Sequence, residues 1–138
     1  MGVFAVVLWL LTRFNDKMQT DTAFARRHRA FKTARMGIKT ASGHLNAGLP
    51  KDFYHVLVRT MNNYLADKLH RPAASLTVSD ILVLLKDKGV SVIVIDSMKA
   101  VYENADMVQF ASVHVDQSRM QEDLLKVQSI IVDLEKKL

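Results

Sequence analysis

The chain opens on an unbroken apolar run, Val3 to Leu11, and then settles into apolar positions that recur at i, i+3, i+4 and i+7. That is the period of a helix with one buried face. Phe24, His28, Phe31, Arg35, Ile38, Ser42 and Leu45 set the spacing over Ala23 to Leu45, a thin apolar stripe with cations over much of the remaining surface. Gly48 ends this helix, since glycine takes a left-handed cap without strain. Pro50 opens the next one at a position where a missing N–H leaves no bond unmade. Over Lys51 to Leu69, Phe53, Leu57, Met61, Tyr64 and Lys68 line one face, and Val56, Thr60 and Leu65 widen it. Arg71-Pro72 stops the pattern, because a residue before proline avoids helical angles.

Leu76 to Gly89 predicts a third helix. Thr77 caps it, with Asp80 three residues later in a variant of the capping box. Ile81, Leu82, Leu84 and Leu85 supply its buried face, and Gly89 its left-handed end. Val90 to Ile95 has strand propensity. No second segment of similar quality exists to pair with it, and a lone strand is not stable. Val92, Ile95, Met98 (or Lys99) and Tyr102 also fit helical spacing, so Ser91 to Ala105 is predicted as a helix. Asp116 to Leu138 carries a heptad seam of Met120, Leu124, Val127, Ile131, Leu134 and Leu138. The seam is expected to pack on its own domain, with an intermolecular coiled coil as the other reading. The expected fold is all-α, a bundle of four to five helices with a long C-terminal helix, preceded by part of a transmembrane helix.

The nine apolar residues at the start are too few to cross a bilayer, which takes about 20. A secretory signal needs a positive stretch ahead of its apolar core, and none is present. Val6 stands where a myristoylation motif needs Ser or Thr. The segment reads instead as the C-terminal part of a transmembrane helix, with Trp9 near the interface and Arg13 and Lys17 at the exit. The other reading is the apolar N-terminus of a soluble protein. The expected organisation is 1–14 as the end of a membrane helix, 15–48 as a basic juxtamembrane helix, and 49–138 as a helical cytoplasmic domain.

The net charge of +5 sharpens this picture because it is unevenly spread. Arg26, Arg27, Arg29, Lys32, Arg35 and Lys39 lie between Thr22 and Pro50 with no acid among them, and the rest of the chain is close to neutral. Such a run sets topology and places the remainder of the chain on the cytoplasmic side. It also attracts anionic lipid, by about 1 kcal/mol per cation near the surface. Backbone binding to nucleic acid is a third use of the run. No aromatic residues interleave with the cations as a single-strand platform requires.

Candidate chemistry adds little. Without cysteine there is no disulfide, thiolate metal site or thiol nucleophile. His28, His44, His55, His70 and His114 show no metal-protease spacing, and His114 with Asp116 is an isolated pair. No glycine arrangement cradles phosphate, and no serine sits in a nucleophile elbow. The carboxylates read as scattered over helix ends and outer faces. The sequence therefore predicts a non-enzymatic domain with no catalytic residue, metal, cofactor or small-molecule substrate.

From about Lys51 onward the order of features resembles the C-terminal domain of the BatD family of aerotolerance-operon membrane proteins. The resemblance is carried by Phe53-Tyr54, Tyr64-Leu65-Ala66-Asp67-Lys68-Leu69, Pro72-Ala73-Ala74-Ser75-Leu76-Thr77, Ile81, Leu85, Lys88-Gly89-Val90, Asn104-Ala105-Asp106-Met107-Val108-Gln109-Phe110-Ala111 and Glu135-Lys136-Lys137-Leu138. At Met107-Val108-Gln109-Phe110 the chain departs from the family's Ala-Arg-Tyr-like turn. The resemblance implies a helical tail on the cytoplasmic side of the bacterial inner membrane. It further implies work beside von Willebrand A-type membrane proteins and a MoxR-type ATPase in aerotolerance or envelope stress. On that reading the domain is a protein–protein interaction or adaptor module. Arg26, Arg27, Arg29, Lys32, Arg35 and Lys39 form its membrane-proximal face, and Tyr54 and Phe110 its partner surface. Phe53 is expected in the core. The alternative expectation is a soluble regulatory or nucleic-acid-binding module that uses the basic helix 26–39.

Overall fold

A computed structural model of the 138-residue chain describes residues 29–72, 75–111 and 115–138. The expected membrane segment, Arg26, Arg27 and His114 lie outside the described residues. Five helices and no strand occupy the described part. They are α1 (29–46), α2 (Pro50–Leu69), α3 (Val78–Asp87), α4 (Val92–Phe110) and α5 (Gln117–Lys137). None of the described helices is long and apolar enough to cross a membrane.

The helix ends obey local chemistry. Gly48 at φ +71° turns the chain out of α1, with Leu49 N–H donating to the His44 carbonyl. The Gln117 side chain donates to the Leu45 carbonyl, which also accepts from Gly48 N–H, so the start of α5 is tied to the end of α1. Pro50 sits in the first turn of α2, as expected. At the other end His70, a residue with a Cβ, takes the left-handed position at φ 55°. In α3 the Thr77–Asp80 capping box is complete in both directions, and Gly89 at φ +80° terminates the element. The strand-like Val90 to Ile95 segment enters a helix capped by Ser91, whose side chain accepts from Val94 N–H. The residues after Ala105 do not turn. They continue α4 to Phe110, beyond the expected end.

The core runs through all five helices. Phe53, Leu57, Met61 and Leu65 of α2 are fully buried at its centre. Helix α2 packs on α4 and α5, α4 on α5, and α3 on α4. The α5 seam of Met120, Leu124, Val127, Ile131 and Leu134 is buried in this core, and Leu138 packs against its edge. The heptad pattern thus serves the domain's own packing.

For α1 the buried face differs from the expected stripe. Ala30, Ala34, Ile38, Ala41 and Leu45 pack inward, whereas Arg35 is exposed and Phe31 and Ser42 are only half-buried. Small residues win this face because the backbones approach closely. A Cβ built on Gly37 would lie 2.2 Å from Thr60 Oγ1 and 2.7 Å from Thr60 Cγ2. The basic helix therefore shares the core with the rest of the bundle.

This contact gives a paired prediction. Gly37→Ala should destabilise the fold by about 1–2 kcal/mol, overpacking against β-branched Thr60 outweighing the helix propensity of alanine. Gly43→Ala, also in α1 but with nothing within 4 Å of its added Cβ, should stabilise by about 0.5–1 kcal/mol. Urea denaturation of both variants checks the sign. Equal effects at the two positions would rule out the close approach.

Candidate functional site

Arg29, Lys32, Arg35 and Lys39 are all exposed on α1. At 3.6 residues per turn they cover about a third of the helix circumference, nearly opposite the alanine face that packs inward. The Arg35 guanidinium lies 5.8 Å from the centroid of the Phe31 ring. No salt bridge joins these four cations to a carboxylate among the described residues. The face is thus a continuous positive strip about 15 Å long at 1.5 Å per residue. Beside it, Phe31, Arg35, Ile38, Lys39 and Ser42 of α1 meet Gln128, Ile131 and Val132 of α5 around a groove of about 630 Å³.

The two expected partner-surface residues part company. Phe110, at the last position of α4, is 86% exposed. Tyr54 is fully buried, which corrects the expectation that it faces a partner. Phe53 beside it is in the core as expected, and the two rings meet edge to face at 4.9 Å and 80°.

Tyr54 belongs to a buried polar network that the residue pattern did not suggest. Its hydroxyl donates to Asp123 Oδ2 at 2.5 Å, and Asn104 Nδ2 donates to the same oxygen at 3.0 Å. Asp123 is 1% exposed, so the carboxylates are not confined to helix ends and outer faces. A weak signal was present, because Asp123 flanks the heptad seam, one position before Leu124. A second tyrosine of α2, Tyr64, donates to Glu135 Oε2, and Lys68 pairs with that carboxylate at 2.8 Å. The order of these pairs, 54 with 123 and 64 with 135, makes α2 and α5 run parallel. Tyr102 donates to Asn62 Oδ1 at 2.6 Å and ties α4 to α2.

Burial raises the pKa of all three phenols above the ordinary tyrosine value, and for Tyr54 and Tyr64 the carboxylate each donates to adds to the shift. These groups hold helices in register. Every buried side-chain nitrogen and oxygen among the described residues has a hydrogen-bond partner. None is left unsatisfied and aimed at a ligand.

A second cleft of about 430 Å³ lies between α2 and α4, bordered by His55, Arg59, Asn62, Tyr102, Asp106 and Gln109. Two of its amides are already engaged, Asn62 with Tyr102 and Gln109 with the Lys51 carbonyl. No three His, Asp or Glu side chains come together as a metal site among the described residues.

No protein-family model matches the chain, and no curated protein or solved structure matches it significantly.

Proposed function

We propose that this chain is a non-catalytic interaction module that lies against an anionic membrane surface through α1 and presents the rest of its bundle to protein partners. The observation that carries the proposal is the acid-free cationic strip of Arg29, Lys32, Arg35 and Lys39, exposed on the side of α1 away from the core. Cations this close to a negative surface each contribute about 1 kcal/mol. The apolar run Val3 to Leu11 ahead of the strip supports the same placement. The resemblance to BatD supplies the partner class, Bat-type A-domain membrane proteins and a MoxR-type ATPase, on the cytoplasmic side of a bacterial inner membrane.

Vesicle sedimentation tests the membrane part. The chain should prefer phosphatidylglycerol-containing vesicles over pure phosphatidylcholine, and added salt should erode the preference. Neutralising one cation, as in Lys32→Gln or Arg29→Gln, should weaken the preference about fivefold. Equal binding to both vesicle types would sink the reading. Steeply salt-dependent binding to duplex DNA or RNA without that preference would favour the nucleic-acid module. For the adaptor role, the membrane-anchored chain should capture the cognate ATPase or A-domain proteins. Capture of neither full-length partner would end it. Phe110→Ala should weaken capture without lowering stability by more than about 0.5 kcal/mol, because the side chain is exposed.

A further inference from the structure

The groove between α1 and α5 has a composition that the cationic strip alone does not require. Its floor and walls are mostly apolar, with Ile131 1% exposed, Ile38 8% exposed, Phe31 half-buried and Val132 44% exposed, and the exposed amide of Gln128 is the one polar group on the α5 side. Along one rim stand Arg35 and Lys39, one helical turn apart, with Ser42 a further turn on. No acidic residue among the described ones lines it. At about 630 Å³ it is within the range of sites that enclose small ligands. An inorganic anion would leave the apolar floor uncovered, and a neutral apolar chain would leave two cations without a counter-charge. A ligand that satisfies both is anionic at one end and hydrocarbon at the other.

We infer that this groove seats one anionic phospholipid of the membrane, its phosphate on Arg35 and Lys39 and the first part of an acyl chain over Phe31, Ile38, Ile131 and Val132. The inference rests on the membrane-surface reading above and adds a specific lipid seat to it. General attraction spreads along the whole strip. The seat distinguishes Arg35 and Lys39, which border the groove, from Arg29 and Lys32, which do not.

The chain has no cysteine, so a single Val132→Cys substitution can carry an environment-sensitive fluorophore at the groove wall of the full chain. Val132 is exposed enough to accept the label, and the helical circular dichroism signal verifies the fold. With phosphatidylglycerol vesicles bearing a nitroxide on the upper acyl chain, the fluorophore should be quenched once the chain is bound. Soluble glycerol phosphate should neither shift its emission nor protect it. The double substitution Arg35→Gln with Lys39→Gln should cut quenching per bound chain about 25-fold, the fivefold loss per cation taken twice at the seat. Arg29→Gln with Lys32→Gln, the same change in charge, should lower vesicle affinity but leave quenching per bound chain unaltered.

Binding to anionic vesicles without quenching would overturn the lipid seat and leave the membrane-surface function standing. An emission shift with glycerol phosphate alone would overturn it in favour of a free anion. Failure to prefer anionic vesicles at all would overturn both readings.

Discussion

Above about pH 10 the protein should lose stability at a slope of about 4 kcal/mol per pH unit, the effect of three linked protons. The protons are those of Tyr54, Tyr64 and Tyr102, which are 0%, 1% and 5% exposed. Burial holds each phenol in its neutral form, and the carboxylates beside Tyr54 and Tyr64 reinforce that. In the unfolded chain tyrosine ionises near pH 10. The folded pKa values are raised, so their stabilising contribution is fully present below that pH. As the pH rises beyond it, the unfolded state binds fewer protons than the folded state and stability falls. A domain worth about 5–15 kcal/mol would then unfold within a few pH units.

Urea denaturation at a series of alkaline pH values measures the slope. Phenolate absorbance should appear together with the loss of helical signal. Phenolate forming while the helices stay intact would show that the tyrosines are accessible, against the structure. Tyr54→Phe should reduce the slope to about two protons. It should also destabilise the fold at neutral pH by about 1–3 kcal/mol, because buried Asp123 loses one of its donors.

Phe53→Ala should destabilise the domain by about 3–5 kcal/mol, the range for deleting a fully buried aromatic side chain. Phe53 is 0% exposed, and its ring meets the Tyr54 ring edge to face. Removing it leaves a cavity in the core beside the first turn of α2 and frees the neighbour that fixes Asp123. Such a loss is a large share of the stability of a domain this size. The midpoint of urea denaturation should fall at nearly unchanged slope. The matched deletion, Phe110→Ala, removes the same atoms from an exposed site and should move the midpoint little. Comparable losses from the two would mean that Phe110 is packed and carries no partner surface.

Much of this architecture was legible because it depends on neighbours in sequence. The Thr77–Asp80 capping box, the Gly48 and Gly89 terminators and the Pro50 start need only local geometry, and each stands where the pattern put it. The α5 seam was legible too, since five of its six heptad positions are buried. At Val90 to Ile95 propensity pointed to a strand, and the absence of a pairing partner decided for a helix. The candidate site was legible in part. The four described cations stand together on an open face, while Tyr54 shares α2 with Phe53 and is buried just as deeply.

The helical class, most of the element ends and the concentration of charge on the first helix are thus local properties of the chain. Local hydrogen bonding, apolar period and composition fix those properties. The tertiary structure alone decided which face of α1 is inside, because the close approach of Gly37 to Thr60 favours alanines over the aromatic stripe. It also decided that Asp123 is a buried acceptor for two donors, 69 and 19 residues away, and that Arg35 and Lys39 border an apolar groove completed by α5. Those pairings join residues distant in the chain, and no local pattern encodes which distant side chain will arrive.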